Sequence, residues 1–151
     1  MVKWVAHVML GLGASLLILN PSLEHAWYVG VSSAIGSLLP DLDLKVKHRR
    51  LFHNFWGLLI ILLSLYAIFL KVGIKIPIVY FTSFSIGFIL HIITDGFTFM
   101  GVYPFWPFKF RFRVTKFKYD DAILNFILVI IGFILIGMWL YDVTRFLRVI
   151  S

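Results

Sequence analysis

The chain has 151 residues, of which 61% are hydrophobic and only 14% charged. Soluble domains carry roughly a quarter charged residues, so a water-soluble fold of this size is excluded and the natural solvent is a bilayer. The formal charge of +7 would suit nucleic acid, but in so apolar a chain cations serve the membrane surface and set orientation, and no nucleic-acid partner is expected.

One domain over 1–151 is expected from the length. There is no cysteine, hence neither a disulfide frame nor a thiolate metal site. Five apolar segments follow one another, without an internal repeat, and predict an all-α polytopic bundle. The first, Trp4 to Asn20, is ended by Pro21 and reads as a retained membrane segment, not a removed signal peptide. The second, Trp27 to Leu39, is ended by Pro40 and is short, so the first two could form a shallow or re-entrant hairpin. Phe55 to Leu70 is the third, Ile76 to about Thr94 the fourth, and Ala122 to Tyr141 the fifth. A full helical span takes about 20 residues, which the fifth meets and the fourth nearly meets. Runs this long without period-two alternation argue against strands.

Lysine and arginine placement orients the bundle. If all five segments cross, Lys3, Lys45, Lys47, Arg49, Arg50, Lys109, Arg111, Arg113, Lys116 and Lys118 share one side. Lys71, Lys75, Arg145 and Arg148 hold the other. The excess predicts an integral cell-membrane protein whose N-terminus, Asp41 loop and 99–121 loop face the cytoplasm.

On that map the ionisable side chains are unevenly distributed. His7 lies at the start of segment one, Asp41, Asp43, His48 and His53 lie between segments two and three, and His91 and Asp95 lie late in segment four. Each has an ordinary reading alone. "HIITD" can be a hydrogen-bonded i,i+4 pair, "PDLD" a helix stop followed by an N-cap, and the imidazoles of "HRRLFH" solvated groups. Glu24 and His25 beside Trp27 and Tyr28 read as interfacial residues without a role. Together, however, four imidazoles and three carboxylates converge on one membrane face from separate segments. Crowding them near low dielectric sets acids and bases in conflict, and a divalent cation removes the conflict because it favours deprotonated ligands. Seven donors exceed the three or four of one catalytic zinc and suit two divalent ions bridged by a carboxylate, with zinc, manganese and iron all compatible.

The order of motifs then resembles a known family. "AHVMLGLG", "GSLLPDLD", "HRRLFH" and "HIITDGFTFMGVYPFWPF", spanning residues 6 to 108, are similar to the signatures of the membrane-bound metal-dependent hydrolases, a YdjM-like group also labelled LexA-binding inner-membrane-associated hydrolases. The family's N-terminal histidine matches His7, and its Pro-Asp-x-Asp turn matches Pro40, Asp41 and Asp43. Its HR…H motif matches His48, Arg49 and His53. Its His-x-x-x-Asp motif matches His91 and Asp95, followed by Gly101, Tyr103 and Pro104. Two positions depart: Ala6 stands where threonine often precedes the first histidine, and Asn54 where serine often follows the last of HR…H.

The resemblance implies metal-assisted attack by water, with the seven His and Asp residues as ligands. Arg49 could hold a phosphate oxygen or stabilise transition-state charge. A lipid or lipid-linked phosphoester is the expected substrate class, and membrane lipid the expected partner. The alternative is a metal-ion transporter or metal sensor using the same ligands without hydrolysis. Such sites lie near the bilayer midplane with a polar route out. A third reading, a scaffold whose basic loop meets lipid, leaves the convergent ligands unexplained. Finally, in "YPFWPFKFRFRVTKFKY" the prolines at 104 and 107 exclude a regular helix. Strict alternation from Lys109 to Val114 predicts an extended segment with Phe110, Phe112 and Val114 on one face, lying in the headgroup layer as a flap beside the metal site.

Overall fold

A computed structural model describes residues 2–45, 52–114, 117–118 and 120–150, with the backbone alone at 43–45, 147, 149 and 150. Five α-helices follow in order: α1 Trp4–Leu19, α2 Leu23–Leu38, α3 Phe55–Val72, α4 Ile78–Gly96 and α5 Ala122–Ile150. A 3-10 helix, Leu39–Lys45, continues α2. Among the described residues there is no strand, only the isolated bridges Thr98–Phe117 and Val102–Phe112. Helices α3, α4 and the Ala122–Phe146 part of α5 are long and apolar enough to cross a membrane. At 1.5 Å per residue, the 16 residues of α1 and of α2 each extend about 24 Å, short of the roughly 30 Å hydrocarbon core.

Two boundaries differ from the sequence reading by more than two residues. Helix α2 begins at Leu23, not Trp27, because helix formation does not require an apolar start: Ser22 precedes it and Glu24 sits in the first turn, where a carboxylate favours the helix dipole. Helix α5 runs on past Tyr141 to Ile150, since its polar tail contains neither glycine nor proline to stop it.

The bundle is built on α1, which packs against α5, α2 and α4, while α2 lies along α4. These crossings use small residues. A Cβ on Gly36 would collide with the Phe84 carbonyl, and one on Gly87 with the Ser33 carbonyl, so the α2 and α4 backbones touch. Hydroxyls fill the same layer: Ser15 Oγ donates to Ser33 Oγ at 2.9 Å and Ser83 Oγ to the Val29 carbonyl at 2.6 Å. Helix α3 stands apart, burying only Gly57 and Leu58.

Pro40 does not end the chain's helical course. The segment tightens there into the 3-10 turns that bring Asp41 back over the end of α4. The connection from α4 to α5 folds back on itself. The Val102 and Phe112 amides and carbonyls pair at 3.0 and 2.9 Å, and the Val114 N–H reaches the Gly96 carbonyl at 2.9 Å. This overturns part of the flap expectation. Phe110 and Val114 are exposed, but Phe112 turns inward onto Gly96, whose missing side chain makes room for its ring, and joins the cluster around Phe88 and Ile92. Strand-like alternation fixes relative direction only, and the closure onto α4 selects Phe112 for burial.

Candidate metal centre

Four elements deliver ionisable side chains to one end of the bundle. His7 comes from the first turn of α1, Asp41 from the 3-10 helix, His53 from just before α3, and His91 and Asp95 from the last turns of α4. His53 is held by its neighbours. Asn54 caps α3 by accepting the Gly57 N–H at 2.7 Å, and the Phe55 N–H donates to the Pro104 carbonyl at 2.9 Å. Asn54 stands where the resemblance led to an expectation of serine, and both are strong N-caps. His7, His53, His91 and Asp95 are buried, whereas the Asp41 side chain keeps 18% of its surface exposed. Asp41 is therefore the most exposed member of the group.

The spacings are those of a shared ligand, not of pairwise hydrogen bonds. His91 Nε2 lies 3.3 Å from Asp41 Oδ1 and 3.6 Å from Asp95 Oδ2. His53 Nε2 lies 3.6 Å from Asp95 Oδ2 and 3.9 Å from Asp41 Oδ1. Donors about 2.0–2.2 Å from one tetrahedral ion stand roughly 3.3–3.6 Å from each other, close to these separations. One donor atom from each of Asp41, His53, His91 and Asp95 falls within 4.8 Å of all the others. His7 joins from the other side of Asp95, with its Nε2 3.4 Å from Oδ1 and its ring stacked on His91 at 3.9 Å between centroids.

The outer atoms of two imidazoles decide what the inner atoms offer. His91 Nδ1 sits 2.7 Å from the Ser37 carbonyl, which only accepts, so Nδ1 carries a proton, and in the neutral ring Nε2 is the lone pair turned toward the carboxylates. Thr94 Oγ1 has one proton, within reach of the Leu90 and His91 carbonyls at 2.8 and 3.0 Å; with that proton given to the backbone, the hydroxyl accepts the Nδ1–H of His7 at 2.8 Å. In the neutral ring that leaves His7 Nε2 as a lone pair as well. Among the described residues His7 Nε2, His91 Nε2, Asp41 Oδ1, His53 Nδ1 and Ser37 Oγ are buried without a hydrogen-bond partner. Lone pairs facing carboxylate oxygens repel unless a positive charge lies between them. Protons on two of the three imidazoles would also balance the two carboxylates, but would leave the third without a partner for its inward nitrogen. A single divalent ion balances the two carboxylates and engages the nitrogens at once. The cluster of Asp41, His53, His91 and Asp95 could thus hold a metal ion, and the residues fit one.

Of the other sequence-derived candidates, His48 and Arg49 lie outside the described residues, as does the Asp43 side chain. The positions that sequence reasoning passed over are Ser37, through its carbonyl, and Thr94. Thr94 could have been noticed as a polar residue between His91 and Asp95 in an otherwise apolar helix; a backbone carbonyl leaves no trace in sequence.

The sequence model of one family, described as YdjM inner membrane protein, matches residues 1–149. No curated protein and no solved structure matches the chain.

Proposed function

The chain belongs to the YdjM inner membrane protein family, and from that premise we propose that it is a membrane-bound metal-dependent hydrolase. The observation that carries this reading is the set of buried imidazole and carboxylate donors at coordination spacing, with two imidazoles held in the tautomer that presents Nε2. A bound divalent ion would bring the pKa of its water toward neutrality and offset the carboxylate charge. Asp41, His53, His91 and Asp95 would hold one such ion. His7 with Asp95 Oδ1 could start a second position; Asp43 and His48, proposed as further ligands from the sequence, lie outside the described side chains. Zinc, manganese and iron all suit mixed N/O ligation.

The protein's own groups then do specific work. Ser37 and Thr94 keep two imidazoles aimed inward, and Asp41 is the one member of the group that stays partly exposed. Arg49, in the same loop as Asp41 and His53, would hold a phosphate oxygen with its planar pair of donors. Exposed aromatic residues beside Lys109 and Arg111 suit the headgroup layer, which supports a lipid or lipid-linked phosphoester as substrate and a cytoplasmic position for the site.

The test is hydrolysis of a panel of lipid phosphoesters by the purified protein in detergent. Activity should vanish with chelator and return on adding metal, and Arg49→Lys should keep its metal while turning over more slowly. Hydrolysis indifferent to chelator would refute the reading.

A further inference from the structure

Helix α5 supplies no ligand to the cluster, yet one of its polar side chains is connected to it through the N-terminal backbone. The Val2 N–H donates to Asp95 Oδ1 at 3.0 Å, in a bond that is wholly buried. The next N–H, that of Lys3, donates to Asn125 Oδ1 at 2.7 Å. Asn125 is buried on the first turn of α5, and its Nδ2 donates to the Asp121 carbonyl at 2.7 Å. Asp121 in turn caps that helix by accepting the Leu124 N–H at 2.9 Å. The Val2 side chain seals the arrangement among Ala6, Leu10, Leu124 and Leu128.

We propose that residues 2–3 and Asn125 form a latch that positions Asp95 for metal binding. This inference rests on the metal-centre reading above. A carboxylate at the end of a helix can rotate about its last bonds. A hydrogen bond to one oxygen fixes the plane of the group and so the direction of the other. With Oδ1 engaged by Val2, Oδ2 is left facing His53 and His91, both at 3.6 Å. The donor is a backbone N–H, so the latch depends on where the N-terminal segment runs, and Asn125 sets that course by holding the neighbouring amide. Val2 and Asn125 are positioning residues: neither is a ligand, and both act through Asp95.

Substitutions separate the hydrogen bond from the packing. Val2→Pro removes the donor, whereas Val2→Ala keeps it and loses most of the side chain. Asn125→Leu removes the acceptor for Lys3, whereas Asn125→Asp keeps that acceptor and loses the donation to Asp121. The probe is cobalt(II), titrated into the full chain in detergent against a competing chelator, with its visible absorption recorded and the ion-free protein melted in parallel. Loss of an outer-shell partner weakens metal binding about 10- to 100-fold, so Val2→Pro and Asn125→Leu should weaken cobalt affinity by that factor and shift its absorption, while Val2→Ala and Asn125→Asp stay within about threefold of wild type. Equal affinity in Val2→Pro and Val2→Ala would overturn the latch, because only the packing would then count. Asn125→Asp as weak as Asn125→Leu would overturn the role of Asn125 and make it a cap of α5. A wild type that takes up no cobalt would defeat the metal centre itself, a failure distinct from wild-type binding that no latch variant changes.

Discussion

The two ends of this bundle treat ionisable residues in opposite ways. At one end His7, Asp41, His53, His91 and Asp95 arrive from four elements and close to within a few ångströms, largely out of solvent. At the other, Glu24, Asp142 and Arg145 line an open groove of about 750 Å³, and His25 meets Tyr80 through an exposed contact of 3.2 Å. Both ends are charged, but only the first removes charge from water without pairing it conventionally. Burying ionisable groups in apolar surroundings is expensive, so an end that does so repeatedly points to a ligand, whereas an end that leaves its charges wet does not. Between them lies the layer where Gly36 and Gly87 bring α2 and α4 into backbone contact, with Ser15, Ser33 and Ser83 wholly buried.

The comparison can be broken most severely at the cluster. His91→Ala or Asp95→Asn should lower metal affinity by more than the roughly 10- to 100-fold that outer-shell changes cause, with helical content by circular dichroism retained. Thr94→Ala comes next. It frees the His7 ring, and an affinity loss of about 10-fold is expected in a chelator competition, with Thr94→Ser close to wild type. In the dividing layer, Gly36→Ala forces a Cβ into the Phe84 carbonyl and should lower thermal stability in detergent by about 1–3 kcal/mol. Gly137→Ala on α5, which meets nothing within 4 Å, should be neutral or stabilising by up to about 1 kcal/mol. The smallest effect belongs to the far end: Glu24→Gln and Asp142→Asn should leave metal content unchanged. Metal loss in either would erase the contrast between the ends.

Much of the architecture was legible because a bilayer imposes long apolar runs. The third, fourth and fifth segments are recovered as α3, α4 and α5, and the short first two as α1 and α2. The gathering of His7, Asp41, His53, His91 and Asp95 at one end was legible for a related reason: charged groups are so scarce in this chain that placing the spans also places them. What stayed hidden depends on contacts and not on composition. The start of α2 lies in a polar turn that hydropathy reads as loop. The inward turn of Phe112 is chosen by Gly96, sixteen positions away. The supports of the cluster, the Ser37 carbonyl and the Val2 amide, are backbone groups that every residue possesses. Helices α3 and α4 show the limit well. Both read as apolar spans, but α3 buries two residues of its length while α4 carries two of the proposed ligands.

The central claim is that the buried cluster exists to hold divalent metal, and elemental analysis of protein purified without chelator tests it most directly. Wild type should carry about two ions per chain if a bridging carboxylate joins two positions, or one if only the Asp41, His53, His91 and Asp95 set is filled. His91→Ala, equally folded, should carry none or nearly none. A wild type without stoichiometric metal, or a His91→Ala variant with the full complement, would contradict the account.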